Sequence, residues 1–325
     1  MDFIKYRRER ERAMCTGIWF GNRFFGRTLD WMESYGEVLV VAPRNFRFEF
    51  KFEEGLESHF AIMGMAVVSD NYPLFYEGFN EAGLGMAGLY FKDETVYHKR
   101  CEGKINVAPF EIVPYILGQC KSVREARERL DKMNIVDEGF NDRWGTSPLH
   151  WIVADKEECI VIESLEDGLK IYENSYGVLT NAPSFDSQVA NYNNYMNLHH
   201  KLPGNWTSMS RFVRAVYVRN NSKVRTRINN YLKSDDITFE DTILKMNEME
   251  MVNHYFRMLD SVSQIRGCNK EVDREDEITI YSCCQDLDKG IYYYTTYECR
   301  DIKSLCFDEV ELNGDKLYIR DIRRI

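Results

Sequence analysis

Short apolar or alternating runs separated by turn residues recur along the chain and predict paired strands with helices in the middle. Residues 38–42, 46–52 and 63–69 have the length and composition of strands. Helices are predicted over 110–120 and 123–133. In the second, Ser122 and Glu125 have capping-box spacing, and Val123, Ala126, Leu130 and Met133 recur at near-helical intervals. Strands resume at 150–154 and 158–164, and Asp167-Gly168 predicts a turn back into 170–173. Asn313-Gly314 predicts a second hairpin, joining 309–312 to 316–320. Hairpins imply antiparallel sheets, whose outer faces need helices to cover them. The expected class is α+β.

Composition narrows the picture. A chain of 325 residues that is 44% hydrophobic and 14% aromatic can bury a large core, and no Pro/Gly/Ser-rich linker divides it. A single domain over 15–325 is expected. The net charge of −10 argues against a nucleic-acid partner, and no apolar run has the length of a membrane span. The nine cysteines are odd in number and lack metal-type spacing; Cys283-Cys284 are adjacent rather than two apart. Neither a metal nor a cofactor is expected, and free thiols in a reducing cytoplasm are the simplest account.

Residues 1–14 differ from the rest. Arg7-Arg8-Glu9-Arg10-Glu11-Arg12 is charged throughout, so the segment is not a secretory signal. It reads as a frayed helical extension, as a short pro-segment or, by preference, as a translated purine-rich ribosome-binding sequence with Met14 as the start. The candidate chemistry begins immediately after it. Cys15 directly follows a methionine, and removal of Met14 would place a thiol and a free α-amine on one residue. That amine, with an unperturbed pKa of about 7.7–8.0, can accept the thiol's proton near neutral pH. This is the self-contained nucleophile and base of N-terminal nucleophile catalysis. Arg27 and Asp30 follow closely enough to hold both groups in place. Read alone, Cys15 is a small buried residue at the start of a strand, as most lone cysteines are.

Several blocks resemble, in order, the choloylglycine hydrolase family of conjugated bile salt hydrolases and penicillin V acylases. They are Cys15-Thr16-Gly17, Phe25-Gly26-Arg27 with Asp30, Pro43-Arg44-Asn45-Phe46, Asn80-Glu81-Ala82-Gly83-Leu84-Gly85 and Ala87-Gly88-Leu89-Tyr90-Phe91. Leu179-Thr180-Asn181-Ala182-Pro183, Ser210-Arg211-Phe212-Val213-Arg214 and Lys289-Gly290-Ile291-Tyr292-Tyr293-Tyr294 continue the series. The resemblance implies a four-layer αββα N-terminal nucleophile hydrolase sandwich that cleaves a linear, non-peptide amide. It further implies Cys15 as nucleophile, with Arg27 and Asp30 flanking it. Asn181 and the backbone N–H of Tyr90 become the oxyanion donors, and Arg211 completes the set.

Two departures bear on the substrate. Tyr90 stands where bile salt hydrolases usually carry Asn and penicillin V acylases carry Tyr, which favours an aryl acyl group. The long assembly loop of some relatives is missing between Asn193-Asn194-Tyr195 and Leu202-Pro203-Gly204. The resemblance implies a homo-oligomer, but without that loop the case for a tetramer weakens and one side of the site opens. Conjugated bile salts are the preferred expectation, penicillin V the alternative, and acyl-homoserine lactones a distant third. Two other classes compete: a Cys–His hydrolase using His150 or His254, and a non-catalytic binder of amphipathic ligands. Leu29, Trp31, Met65, Tyr72, Phe75 and Tyr76 are candidates to line its pocket.

Overall fold

The computed structural model describes residues 14–198, 201–222, 237–268 and 276–323, without the side chains of 237–247. Of the segment 1–14, residues 1–13 therefore lie outside the described residues. The N-terminal half supplies strands β1 (Thr16–Phe20), β2 (Phe24–Trp31), β3 (Val38–Ala42), β4 (Ile62–Ser69), β5 (Tyr72–Asn80), β6 (Gly85–Tyr90) and the short β7 (Ile105–Val107). Helices α1 (Ile112–Gln119) and α2 (Val123–Leu130) precede β8 (Met133–Ile135), β9 (Leu149–Ala154), β10 (Cys159–Leu165), β11 (Gly168–Glu173) and β12 (Val178–Leu179). Helices α3 (Phe185–Leu198), α4 (Ser208–Asn221) and α5 (Ile237–Asp260) follow. Strands β13 (Ile278–Asp286), β14 (Ile291–Thr296), β15 (Lys303–Cys306) and β16 (Tyr318–Asp321) close the chain.

Two large antiparallel sheets form the middle of the molecule. One runs β12-β1-β2-β13-β14-β15, the other β11-β10-β9-β6-β5-β4-β3-β16. In the eight-stranded sheet, alternate residues feed two different cores. Leu39, Val41, Met63, Ala87, Ile152 and Val161 face the six-stranded sheet. Val40, Ala42, Ile62, Met86, Val153 and Ile160 face α1 and α2. A sheet covered on both faces needs apolar residues at every position, which is why its strands read as continuous apolar runs. Helices α4 and α5 cover the far side of the six-stranded sheet through Phe212, Val216, Tyr255 and Leu259. The layers are thus helix, sheet, sheet, helix, as expected.

Some sequence expectations shift. Residues 46–52 are not a strand. Phe48 exchanges two backbone hydrogen bonds with Leu56 in an isolated bridge, while Phe46 and Phe48 pack under α1, so burial rather than sheet pairing accounts for the alternation. Helix α2 stops at Leu130, and Met133 begins β8. Its Ser122 cap is confirmed by acceptance from the Glu125 N–H at 3.3 Å, but the Glu125 carboxylate bonds the Lys121 N–H instead of closing the box. The β10–β11 turn is Glu166-Asp167, one residue earlier than predicted, with Gly168 at φ +110° opening β11. Asn313-Gly314 makes no hairpin. Its carbonyls and side chain are taken by Arg44 and Asn45, and β16 pairs with β3 instead.

Candidate active site

Strand β2 carries the centre of the site. Phe25 and Arg27 reach toward the eight-stranded sheet: Phe25 lies against Gly85, and Arg27 Nη1 donates to the Gly88 carbonyl at 2.5 Å. On the opposite side Phe24 packs against Tyr255 of α5. Gly26 has no alternative residue, because the Cys283 carbonyl stands 2.1 Å from where a Cβ would be. Cys15 lies on the neighbouring strand's leading edge, 2% exposed, with its Sγ 3.9 Å from the Asp30 backbone carbonyl.

Arg211, fully buried on α4, ties the remaining groups together. Nη1 donates to the Cys15 carbonyl and to Thr16 Oγ1, both at 2.7 Å, and Nη2 donates to Asn181 Oδ1 at 2.9 Å. Asn181 in turn donates through Nδ2 to the Tyr90 carbonyl at 2.8 Å. The Asn181 carbonyl accepts from Gln188 and Ser208, each at 2.8 Å. All six residues singled out in the sequence (Cys15, Arg27, Asp30, Tyr90, Asn181 and Arg211) are therefore brought together. Cys15, Arg27 and Tyr90 line a cavity; Asp30, Asn181 and Arg211 support it from behind.

Burial dominates the electrostatics. It pushes the Cys15 thiol up, against the pull of the Arg27 charge, while the Asp30 carboxylate adds to the rise. Burial also raises Asp30 to about 6, against the opposing charge of Arg211 and the hydroxyls of Thr279 and Thr28. Arg211 is lowered to about 10 by burial. Arg27 donates to the Thr28, Gly88 and Tyr76 carbonyls. A buried Glu77 beside it accepts from the Tyr281 and Tyr292 hydroxyls and from the Met65 N–H. A thiol flanked by a guanidinium, with an amide side chain locked to the adjacent strand, is suited to attack on a carbonyl and stabilisation of the resulting oxyanion.

The cavity measures about 410 Å³, within the roughly 300–1,000 Å³ usual for small-molecule sites. Its walls are mainly apolar and aromatic. Of the six candidate lining residues, Leu29, Trp31, Phe75 and Tyr76 do line it. Met65 is instead packed between the sheets, and Tyr72 sits behind Phe110 and Phe140. Phe110, Phe140, Tyr35 and Trp144 were not among the candidates: Phe110 comes from the short turn before α1, Tyr35 from the β2–β3 loop, and Phe140 and Trp144 from the β8–β9 loop, segments that share no sequence pattern. At the cavity mouth Trp31 Nε1 donates to the Tyr35 hydroxyl at 2.9 Å, and Tyr35 stands edge-on to Trp144 at 5.8 Å.

No histidine lines this cavity among the described residues. His150 Nε2 donates to the Thr180 carbonyl at 2.7 Å, its Nδ1 lies 3.1 Å from Glu163, and its ring stacks on Phe91. His254 packs on Phe20. Neither His150 nor His254 is paired with Cys15. Other motif residues have structural work: Arg44 pairs with Glu81, and Asn80 Nδ2 bonds the Leu117 and Cys120 carbonyls at 2.7 Å, fastening α1 to the β5–β6 turn. Thr16, Thr28 and Thr279 were not among the sequence-derived candidates, yet their hydroxyls sit among the charged groups.

Residues 15–234 and 238–320 match the family model of linear amide C-N hydrolases, choloylglycine hydrolase family. The chain is 38% identical over 335 residues to a bile salt hydrolase/transferase of Lactiplantibacillus plantarum, covering 95% of this chain and 97% of that protein. It is 32% identical to a bile salt hydrolase/transferase of Clostridium perfringens, covering 94% and 95% respectively. A variant of the conjugated bile acid hydrolase from Clostridium perfringens superposes with a TM-score of 0.80 at 31% identity, over 95% of this chain and 97% of that one. The fold is also that of the penicillin V acylase from Agrobacterium tumefaciens, with a TM-score of 0.74 at 21% identity over 94% and 91%. The protein is a linear amide hydrolase with the N-terminal nucleophile hydrolase fold. It belongs to the choloylglycine hydrolase family.

Proposed function

We propose that this enzyme deconjugates glycine- or taurine-conjugated bile salts, with Cys15 as an N-terminal nucleophile exposed by loss of residues 1–14. The observation that carries the reading is the Cys15 thiol at an apolar, aromatic cavity with Arg27 and Tyr90 beside it. The extent of the likeness to bile salt hydrolases supports the substrate class, and the family match beginning at residue 15 supports the processing. The free α-amine takes the thiol proton, and the thiolate attacks the amide carbon. The Asn181 amide and the Tyr90 backbone N–H stabilise the oxyanion, and the amine leaves with the proton. Water then hydrolyses the thioester. Arg27 favours the thiolate, Asp30 orients the α-ammonium, and Arg211 aligns Asn181.

No helix among the described residues is long and apolar enough to cross a membrane, and all nine cysteines are free thiols. The thiols support a cytoplasmic location. The short connection before Leu202 weakens the case for a tetramer.

Active enzyme is expected to begin at Cys15, as read by intact mass, and to turn over glycocholate and taurocholate faster than penicillin V. Full activity with Met14 still attached would overturn the mechanism, because an amide nitrogen cannot accept the proton. Faster cleavage of penicillin V would overturn the substrate assignment. Penicillin V remains the second reading because Tyr90 adds an aromatic wall, edge-on to Trp31 at 5.6 Å.

Tyr90→Asn tests that wall. The backbone donor is kept, so turnover should persist. Loss of the ring removes an aromatic contact worth on the order of 0.5–1.5 kcal/mol for a phenoxyacetyl group. The ratio of kcat/KM for glycocholate over penicillin V should rise, by up to about tenfold. An unchanged ratio would make Tyr90 a packing residue only.

A further inference from the structure

We propose that Thr279, together with Thr28, is a positioning residue that holds the Asp30 carboxylate ionised and correctly aimed at Cys15. This rests on the reading of Asp30 given above. Thr279 Oγ1 donates to Asp30 Oδ1 at 2.5 Å, and Thr28 Oγ1 donates to Asp30 Oδ2 at 2.9 Å. Each hydroxyl is itself oriented by a backbone donor. The Gln264 N–H donates to Thr279 Oγ1 at 2.7 Å, and the Thr16 N–H donates to Thr28 Oγ1 at 3.2 Å.

With one lone pair of each hydroxyl occupied in this way, its proton is directed at the carboxylate. Both carboxylate oxygens thus receive a hydrogen bond, a pattern that favours the charged form. Thr279 is further fixed by donating its own N–H to the Gln264 carbonyl at 3.1 Å. The two relays converge from opposite directions in the chain, one from the nucleophile's own strand pair and one from β13. Asp30 is 0% exposed and Thr279 7%, so water does not substitute for either hydroxyl.

The charged and titratable groups facing Asp30 are Arg27 on its own strand, Arg211 from α4 and the Cys15 thiol; Glu277, ahead of β13, acts on Arg211. Both arginines oppose the burial that drives Asp30 up to about 6. Activity that needs the carboxylate is present above this value and lost as pH falls through it. The free α-ammonium of Cys15, once formed, moves that acid limb lower.

The test is kcat/KM against pH for the purified enzyme and for Thr279→Val, Thr279→Ser and Asp30→Asn, with mass and thermal midpoint recorded for each. Thr279→Val keeps the shape and removes the donor, so its acid limb should move up by about one pH unit, a tenfold change in the protonation equilibrium. Thr279→Ser should restore the parent limb. A Thr279→Val enzyme with a lowered midpoint but the parent pH profile would overturn the inference and leave Thr279 a packing residue. If Asp30→Asn abolishes activity in that case, the reading of Asp30 stands and only this inference fails. If Asp30→Asn keeps the parent kcat/KM, the role of Asp30 itself is wrong.

Discussion

Changing Cys15 to serine should lower kcat/KM by about a thousandfold or more while leaving the fold in place. The two side chains are nearly the same size, and Cys15 contributes a small, 2% exposed group to the edge of the core. Stability should therefore change little. Chemistry should change greatly, because a hydroxyl is far less ionised than a thiol and the α-amine is too weak a base to compensate. The burial that raises the thiol is opposed by Arg27 and Arg211, whose charges favour thiolate far more effectively than alkoxide. Iodoacetamide provides a check on the parent enzyme. Cys101 and Cys268 are exposed and should be alkylated as well, yet inactivation should follow the labelling of Cys15 alone. A serine variant within tenfold of the parent, with its fold intact, would remove Cys15 from the mechanism.

The parts of this architecture that were legible in the sequence are those where one physical demand acts on a segment at a time. Val38–Ala42 is buried on both faces, and its uninterrupted apolar run states that directly. Val123–Leu130 lies on the surface of a core, and its buried Val123, Ala126 and Leu130 mark one face. Strand β2 shows the opposite case. Phe24–Trp31 is buried along nearly its whole length, yet Arg27, Thr28 and Asp30 interrupt its apolar pattern. Those residues are tolerated because backbone carbonyls, threonine hydroxyls and charges from other elements satisfy them, and none of these partners is adjacent in sequence. The candidate site residues were legible only through ordered motifs. Their supporting groups, such as Thr279 and Glu77, lay outside every predicted element and every motif, on strands first seen in the structure. The failed hairpin at Asn313-Gly314 has the same origin: Arg44, 269 residues away, occupies the Asn313 side chain that local reasoning assigned to a turn.

Arg211→Lys should be the most damaging conservative change in the molecule. The guanidinium serves four acceptors from a planar fork: the Trp206 carbonyl at 3.1 Å, the Cys15 carbonyl, Thr16 Oγ1, and Asn181 Oδ1. A lysine ammonium is a single point on a flexible stem and cannot span them. At least two acceptors would be left buried and unpaired, at about 1–3 kcal/mol each, so the thermal midpoint should fall. Burial that lowers Arg211 to about 10 would press harder on a lysine, whose charge is more easily lost. Asp30 would then lose the first of the charges that hold it down, and the acid limb of kcat/KM should move up. Asn181 would lose the donor that fixes its carbonyl oxygen and so aims its amide. Misalignment of one oxyanion donor costs about a hundredfold or more in kcat. The expected signature is therefore a fall of that size in kcat, a smaller change in KM and a raised acid limb in the fraction that remains folded. A lysine variant whose kcat stays within threefold of the parent would show that Asn181 is aligned by the Tyr90 carbonyl and its own backbone contacts, and that Arg211 holds the helix layer to the nucleophile strand without serving the reaction.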